Sequence, residues 1–335
     1  MTIKAAINGF GRIGRCILRA LVEDGRDDIE IVAINDLGSV EANAHLLKYD
    51  SNHGTLTVPV ETGEDRLTVD GRGIRVTAER DPAALPWGDV DVVFECTGVF
   101  TTREAAAKHL ENGAGRVLVS APAKGADRTV VFGVNEDTLT NEDRVVSNGS
   151  CTTNCLAPVA QVLDDAFGIE TGYMTTIHSY TGDQPTLDAL HKDLYRARAA
   201  GMNMIPTSTG AARAVGEVLP GLAGKLDGSA IRVPTPNVSA VDLCFMPSTP
   251  VTPDGVNAAV RAAADTGRLK GILGVTDDPL VSCDFRHDAR SSIFATDQTR
   301  ATEGGMIRVL SWYDNEWGFS ARMLDVGVAM VRAAR

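Results

Sequence analysis

Three glycines, Gly9, Gly11 and Gly14, lie between a strand-like and a helix-like stretch and constrain this chain more than any other feature. Before them, Lys4-Ala5-Ala6-Ile7-Asn8 is a short apolar run; after them, Ile13, Ile17, Leu18, Leu21 and Val22 recur at helical spacing. In that setting Gly9 permits a tight turn, Gly11 lets backbone approach a pyrophosphate, and Gly14 allows close helix packing. The helix N-terminus then offers N–H donors to phosphate. The next apolar run, Ile29 to Asn35, ends at Asp36. An acid about 20 residues past the glycines is placed to hold a ribose 2′-hydroxyl.

Further units follow the same rhythm. Val90–Gly98, Arg116–Ser120, Val130–Val134 and Arg144–Ser147 read as strands, and Thr102–Asn112 reads as a helix closed by Gly113. Strands alternating with helices predict an α/β fold with a doubly wound, mostly parallel sheet. Its ligand belongs at the carboxyl ends of the strands, where Gly9, Asp36, Thr97 and Ser120 fall. After residue 150 the pattern changes. Thr171–Tyr180 alternates as a strand and carries His178, while Ala230–Pro234 and Ser239–Met246 read as paired strands. The expected organisation is a dinucleotide-binding domain over 1–150 and an α+β catalytic domain over 151–315. A C-terminal helix within 316–335 is expected to dock back on the first domain.

A chain of 335 residues is long for a single core and favours two domains. Its net charge of −12, with Lys and Arg scattered, argues against a dedicated nucleic-acid site. No apolar run approaches the ~20 residues of a membrane span. Six cysteines without a secretory leader pattern suggest reduced thiols and a cytoplasmic location. Cys151 and Cys155 lack the spacing and neighbours of a zinc site, so no metal is expected.

Chemistry is expected at Ser147–Cys155, a charge-free stretch of short polar residues preceding the helical run Leu156–Leu163. A cysteine in a first helical turn faces unpaired N–H groups, which favour the thiolate. His178 is the candidate base for Cys151. Arg196, Arg198 and Arg232, with Ser150, Thr152, Thr181, Thr207, Ser208, Thr209 and Gly210, supply cations, hydroxyls and loop N–H groups suited to two anions. Pro158 is expected to kink the cysteine helix.

On these residues the chain resembles phosphorylating glyceraldehyde-3-phosphate dehydrogenase from end to end. The resemblance is carried by Ile7–Arg15, Ala44–Ser51, Ser150–Pro158, Arg232–Ser239 and Trp312–Glu316. It implies that Cys151 attacks the aldehyde of D-glyceraldehyde 3-phosphate while His178 takes the proton, with hydride passing to NAD. It further implies a thioester, which inorganic phosphate cleaves to 1,3-bisphosphoglycerate. By the same resemblance Thr181, Asp183, Arg196 and Arg232 hold the substrate phosphate. Ser150, Thr152, Thr209 and Gly210, with Arg232 nearby, hold the attacking phosphate. Arg12, Ile13, Asp36, Arg80, Ser120 and Asn315 match cofactor contacts, Asn315 facing the nicotinamide amide. A homotetramer is implied, its Tyr180–Ile205 segment lying near a neighbour's cofactor.

Several positions depart from the family's usual pattern: Gly149 for alanine, Pro185 for a basic residue, Ala189-Leu190 for Leu-Pro, and Phe319 for tyrosine. Asp36 favours NAD because its carboxylate repels a 2′-phosphate, while the altered segment leaves NADP use open. The alternatives are an erythrose-4-phosphate or NADPH-preferring enzyme, an inhibitor-resistant isoform, or a thiol redox sensor.

Overall fold

The computed structural model describes residues 2–334. The chain divides into two compact units. The first comprises residues up to Val130, Glu136–Gly149 and those from Ser320 onward; the second comprises Val131–Asn135 and Ser150–Phe319.

In the first unit, strand Ile3–Asn8 lies in mid-sheet between Ile29–Asn35 and Val92–Glu95, parallel to both. Arg116–Val119, Val145–Ser147 and Arg128–Thr129 continue the parallel sheet on one side. Arg72–Thr77 continues it on the other, and Arg66–Val69 and Val60–Thr62 add antiparallel edge strands. The chain therefore leaves its first strand in one direction and later returns to pair on the other side, which opens a crevice at the strand ends. Buried Ile7, Ile17, Ile34 and Phe94 build the core; each large apolar side chain fully buried stabilises by about 1.5–3 kcal/mol. Thr102 caps the next helix by accepting from Ala105 N at 3.2 Å. That helix is α-helical only over Arg103–Ala107, tightens to a 3₁₀ turn over Lys108–Asn112, and stops at Gly113 with φ +95°. The last helix, Trp317–Arg332, contributes its residues from Ser320 to this unit. Asp325 meets Arg26 at 2.7 Å, and Gly327 lies so close to the Phe94 ring that a Cβ would sit 2.7 Å from it.

The second unit is a mixed sheet covered by the helices Cys151–Phe167, Ala211–Val218 and Pro253–Asp265. Its main strand order is Ile205–Ser208, Leu226–Val233, Ile169–Ser179, Ser239–Pro247, Ile307–Tyr313, Ser292–Ala295 and Leu273–Thr276. Leu156, Val159, Leu163, Val215, Phe245 and Val260 form the buried layer between helices and sheet. The cysteine helix runs unbroken through Pro158 for 17 residues. Proline removes one N–H there, and burial of the flanking Leu156, Ala157 and Val159 holds the helix together across the gap.

Two sequence expectations need correction. Val130–Val134 is not a strand. Gly133 takes φ +88°, and the Asn135 side chain accepts Val131 N at 2.8 Å, so the run turns. Val131 and Val134 then bury themselves in the second unit's core. Nor do Ala230–Pro234 and Ser239–Met246 pair with each other. The histidine strand lies between them, parallel to Leu226–Val233 and antiparallel to Ser239–Pro247. The link 234–238 holds two prolines and Val238 at φ +70°, so it is not a tight hairpin and the two strands flank a third.

Gly149, between the strand Val145–Ser147 and the cysteine helix, has φ +64°. Its N–H donates to Ser147 Oγ at 3.0 Å. A Cβ in that left-handed conformation costs roughly 1 kcal/mol. Gly149→Ala is therefore expected to lower the free energy of unfolding by about 1 kcal/mol, read as a lower urea midpoint. An unchanged midpoint would contradict the strain at this turn.

Candidate functional site

The glycine turn is built by sterics. A Cβ on Gly9, at φ +90°, would lie 2.7 Å from Thr97 N, and one on Gly14 would lie 2.3 Å from Gly9 O. A Cβ on Gly11 would meet nothing within 4 Å. Gly9 and Gly14 are thus required by the protein's own packing, whereas Gly11 leaves open approach for a ligand. Gly11 is also the N-cap of the helix Arg12–Glu23, whose first turn has neither a side-chain cap nor an acid. Such a bare N-terminus suits an anion.

Beside it lies a cleft of about 420 Å³, lined by Gly9, Gly11, Asp36, Arg80 and Thr97 from the expected set. Asn8, Asn35, Leu37, Glu79, Cys96, Val99 and Phe100 complete the lining. Asp36 is tied to both loops, accepting Phe10 N and Gly38 N at 2.8 Å each. Arg12 is held by Asp50 through contacts of 2.5 and 3.2 Å. Burial works against the Asp50 charge, but Arg12 and the N–H groups of His53 and Asn52 outweigh it and bring the carboxyl down to about 2. Ile13 and Gly14 belong to the helix's first turn rather than to the cleft wall, and Ser120 lies beside Cys96.

Glu95, under this cleft, was missed in the sequence. It is 1% exposed. Its Oε1 accepts Thr97 N and Oγ1, and its Oε2 contacts Asn8 Nδ2 at 2.6 Å and His109 Nε2 at 2.8 Å. Trp87 Nε1 can only donate, so His109 Nδ1 accepts it at 2.9 Å and Nε2 carries the proton to Glu95. One signal was available: a lone acid in the apolar run Val92-Val93-Phe94-Glu95.

In the second unit Ser150 caps the cysteine helix, its Oγ accepting Thr153 N at 3.0 Å, and Cys151 is the first helical residue. Cys151 Sγ lies 3.4 Å from His178 Nε2. His178 Nδ1 donates to Ser179 O at 2.7 Å, so Nε2 keeps its lone pair toward the thiol. Burial, then Arg232, lower the His178 pKa to about 3. Burial also raises the Cys151 pKa, against Arg232 and the Thr152 hydroxyl and N–H, which favour the thiolate. Burial thus works against the helix N-terminus at this thiol.

Arg232 Nη1 donates to Ser179 O at 3.0 Å and to Thr181 Oγ1 at 2.8 Å. Thr181 Oγ1 donates to Asp183, which also receives Arg196 Nη1 at 2.8 Å, and Arg196 Nε reaches Thr207 Oγ1 at 3.0 Å. These residues form one connected group. Burial opposes the Asp183 charge, but Thr181, Arg196 and Arg232 hold its carboxyl below the usual range. Arg198 is separate, pairing with Asp188 at 2.7 Å on the surface.

Thr152 turns its hydroxyl inward to Tyr313 Oη at 2.8 Å, and Thr176 Oγ1 reaches the same oxygen at 2.9 Å. Tyr313 in turn packs edge-on to the His178 ring, 5.9 Å between centroids. Thr209 and Gly210 open the helix Ala211–Val218, and no hydrogen bond among the described residues joins them to Ser150 or Thr152. Asn315 Oδ1 accepts from Ser179 Oγ at 2.8 Å and Ser239 Oγ at 2.9 Å. Tyr313, Ser179 and Ser239 were not singled out as site residues from sequence, because nothing local marks them.

A glycine-cradled cleft in a parallel sheet, with a thiol enclosed against an imidazole elsewhere in the chain, defines the kind of enzyme that combines a dinucleotide with cysteine chemistry. Residues 3–103 match the NAD binding domain of glyceraldehyde 3-phosphate dehydrogenase, and 150–315 match its C-terminal domain. The glyceraldehyde-3-phosphate dehydrogenase of Cereibacter sphaeroides is 67% identical over 333 residues, covering 99% of each chain. That of Xanthobacter flavus is 65% identical, covering 98% of this chain and 99% of its own. That of Streptomyces coelicolor is 55% identical over 98% of each. The chain belongs to the glyceraldehyde-3-phosphate dehydrogenase family.

A depressed histidine pKa links protonation to stability. Below the unfolded pKa of about 6.5 the unfolded chain binds a proton that folded His178 refuses until about pH 3. Stability from this group is therefore full above pH 6.5 and lost as pH falls toward 3. Between pH 6.5 and 5 the loss is on the order of 2 kcal/mol. His178→Asn should show a correspondingly smaller fall in urea midpoint over that range; equal falls in both proteins would rule the linkage out.

Proposed function

We propose that Cys151 is the nucleophile and His178 its base in the oxidative phosphorylation of D-glyceraldehyde 3-phosphate, the reaction of this family. The observation that carries the assignment is the 3.4 Å contact between Sγ and a His178 Nε2 whose lone pair faces the thiol. His178 takes the thiol proton as sulfur attacks the aldehyde carbon and returns it to the former carbonyl oxygen, giving a hemithioacetal. His178, free again, takes the hydroxyl proton as the carbonyl of a thioester forms. NAD, when bound, supplies the hydride acceptor for that oxidation. A phosphate oxygen then attacks the thioester carbon, Cys151 leaves as thiolate, and 1,3-bisphosphoglycerate is released.

The open face at Gly11, the bare helix N-terminus and Asp36 fit a dinucleotide with a free ribose 2′-hydroxyl. We assign Gly9, Gly11, Arg12, Ile13, Gly14, Asp36, Arg80, Thr97, Ser120 and Asn315 to cofactor binding. Thr181, Asp183, Arg196 and Arg232 are assigned to the substrate phosphate. Among them Arg232 is largely enclosed, and its Nε has no partner among the described residues, which suits a forked contact to an anion. Ser150, Thr152, Thr209 and Gly210 are assigned to the attacking phosphate, Thr152 through its N–H, since its hydroxyl is engaged with Tyr313.

Glyceraldehyde 3-phosphate should be oxidised with NAD and phosphate, and Cys151→Ser should abolish turnover. His178→Asn should lower kcat by about 100- to 10,000-fold, the usual range for a general base. An active Cys151→Ser protein would sink the assignment. The same assay with NADP should give the lower kcat/KM because of Asp36. Equal or better use of NADP, or of erythrose 4-phosphate, would favour the corresponding alternative.

We also propose that the chain is a cytoplasmic homotetramer. Leu187, Leu190, Leu194, Tyr195, Met202 and Met204 are each at least 63% exposed within one short segment. Apolar exposure on this scale marks an interaction surface. Sedimentation should give a mass of four chains, and Leu190→Asp with Leu194→Asp should shift it to smaller species. A wild-type monomer at micromolar concentration would refute the proposal.

A further inference from the structure

Asn315 is 5% exposed and sits against two buried serines, Ser179 at 0% and Ser239 at 1%. Which end of its amide faces them is decided by counting donors. With Oδ1 inward, each serine hydroxyl donates to it, at 2.8 and 2.9 Å, and Ser239 Oγ accepts Ser179 N at 3.0 Å. Every hydroxyl hydrogen then has a carbonyl acceptor. With Nδ2 inward, both hydroxyls would be acceptors and their two hydrogens would have only each other's oxygens, 3.4 Å apart. At least one buried hydrogen would be left without a partner, which a buried hydroxyl tolerates poorly. Oδ1 is therefore held inward, and no acceptor among the described residues takes Nδ2.

We propose that Ser179 and Ser239 are positioning residues that lock Asn315 as a hydrogen-bond donor, so that the site selects a dinucleotide whose ring substituent presents an acceptor. The proposal rests on the reading of Asn315 as a contact to the nicotinamide carboxamide. The serines give that contact its polarity. An unrestrained asparagine could turn over and accept from the carboxamide NH₂, or from a competing ring that only donates. Ser179 also ties this choice to the thiol site, because its carbonyl accepts His178 Nδ1 and Arg232 Nη1 while its hydroxyl serves Asn315.

The test is equilibrium binding, followed by quenching of intrinsic fluorescence, of two NAD analogues: 3-acetylpyridine adenine dinucleotide, whose ring substituent accepts, and 3-aminopyridine adenine dinucleotide, whose substituent donates. The unmodified protein should prefer the acetyl analogue. Ser179→Ala with Ser239→Ala should shrink that preference about tenfold, the order expected for one well-placed hydrogen bond. Ser179→Ala alone, which leaves the backbone carbonyl and Ser239 in place, should shrink it by less and guards against a double variant that fails to fold. Ser239→Thr, which keeps the hydroxyl, should retain the preference; a loss there as great as in the alanine variants would overturn a role through the hydroxyl. An unchanged preference in the alanine variants, beside a lost one in Asn315→Ala, would overturn the proposal while leaving Asn315 as a cofactor contact. If Asn315→Ala also left the preference unchanged, the underlying reading of Asn315 would fall, and the proposal with it.

Discussion

The hydrogen bond from His178 Nδ1 to the carbonyl of Ser179 is the interaction on which the thiol site depends. It is made between neighbouring residues at the end of a strand, so strand geometry rather than a distant side chain chooses the tautomer. The same oxygen takes Arg232 Nη1. Parallel pairing brings Arg232 opposite His178 in register, so the imidazole and the guanidinium share one backbone acceptor. A shift of one residue in that pairing would turn Arg232 to the opposite face of the sheet.

Enclosure then shapes the electrostatics. Alone, an imidazolium at His178 is disfavoured by burial and by Arg232, and burial also disfavours a thiolate at Cys151. Together the two charges, 3.4 Å apart, attract by roughly 5 kcal/mol at an effective dielectric of 20. The depression of His178 represents a penalty of about the same size. The raised Cys151 pKa adds to that penalty, so burial favours the neutral pair, with the proton on sulfur. Charges nearby set how strongly it is held there. Arg232 is the chief such charge, and the pH dependence belongs to the pair rather than to either residue.

Much of this was legible in the chain itself, for reasons that differ by residue. Gly9, Gly11 and Gly14 could be read because a strand, a tight turn and a helix follow one another within a dozen residues. Cys151 could be placed in a first helical turn because Ser150 precedes a helical run. The misreadings differ in cause. Val130–Val134 has the composition of a strand, but the nearby Asn135 side chain accepts Val131 N and turns the run. The strands around residues 230 and 240 look like neighbours until the histidine strand, 50 residues earlier, is inserted between them. Glu95, Tyr313, Ser179 and Ser239 gain their roles only when hydrogen bonds spanning up to 161 residues are made.

The carboxylate of Asp36 has a second duty. By accepting Phe10 N it fastens the glycine turn to the end of the neighbouring strand, and by accepting Gly38 N it shapes the loop beyond. The side chain proposed to discriminate at the ribose thus also shapes the glycine turn. A lineage, or an engineer, that removed the charge to admit a 2′-phosphate would also loosen that turn. Cofactor preference in this fold is therefore not a free dial: a successful switch has to bring a new acceptor for Phe10 N along with a new partner for phosphate.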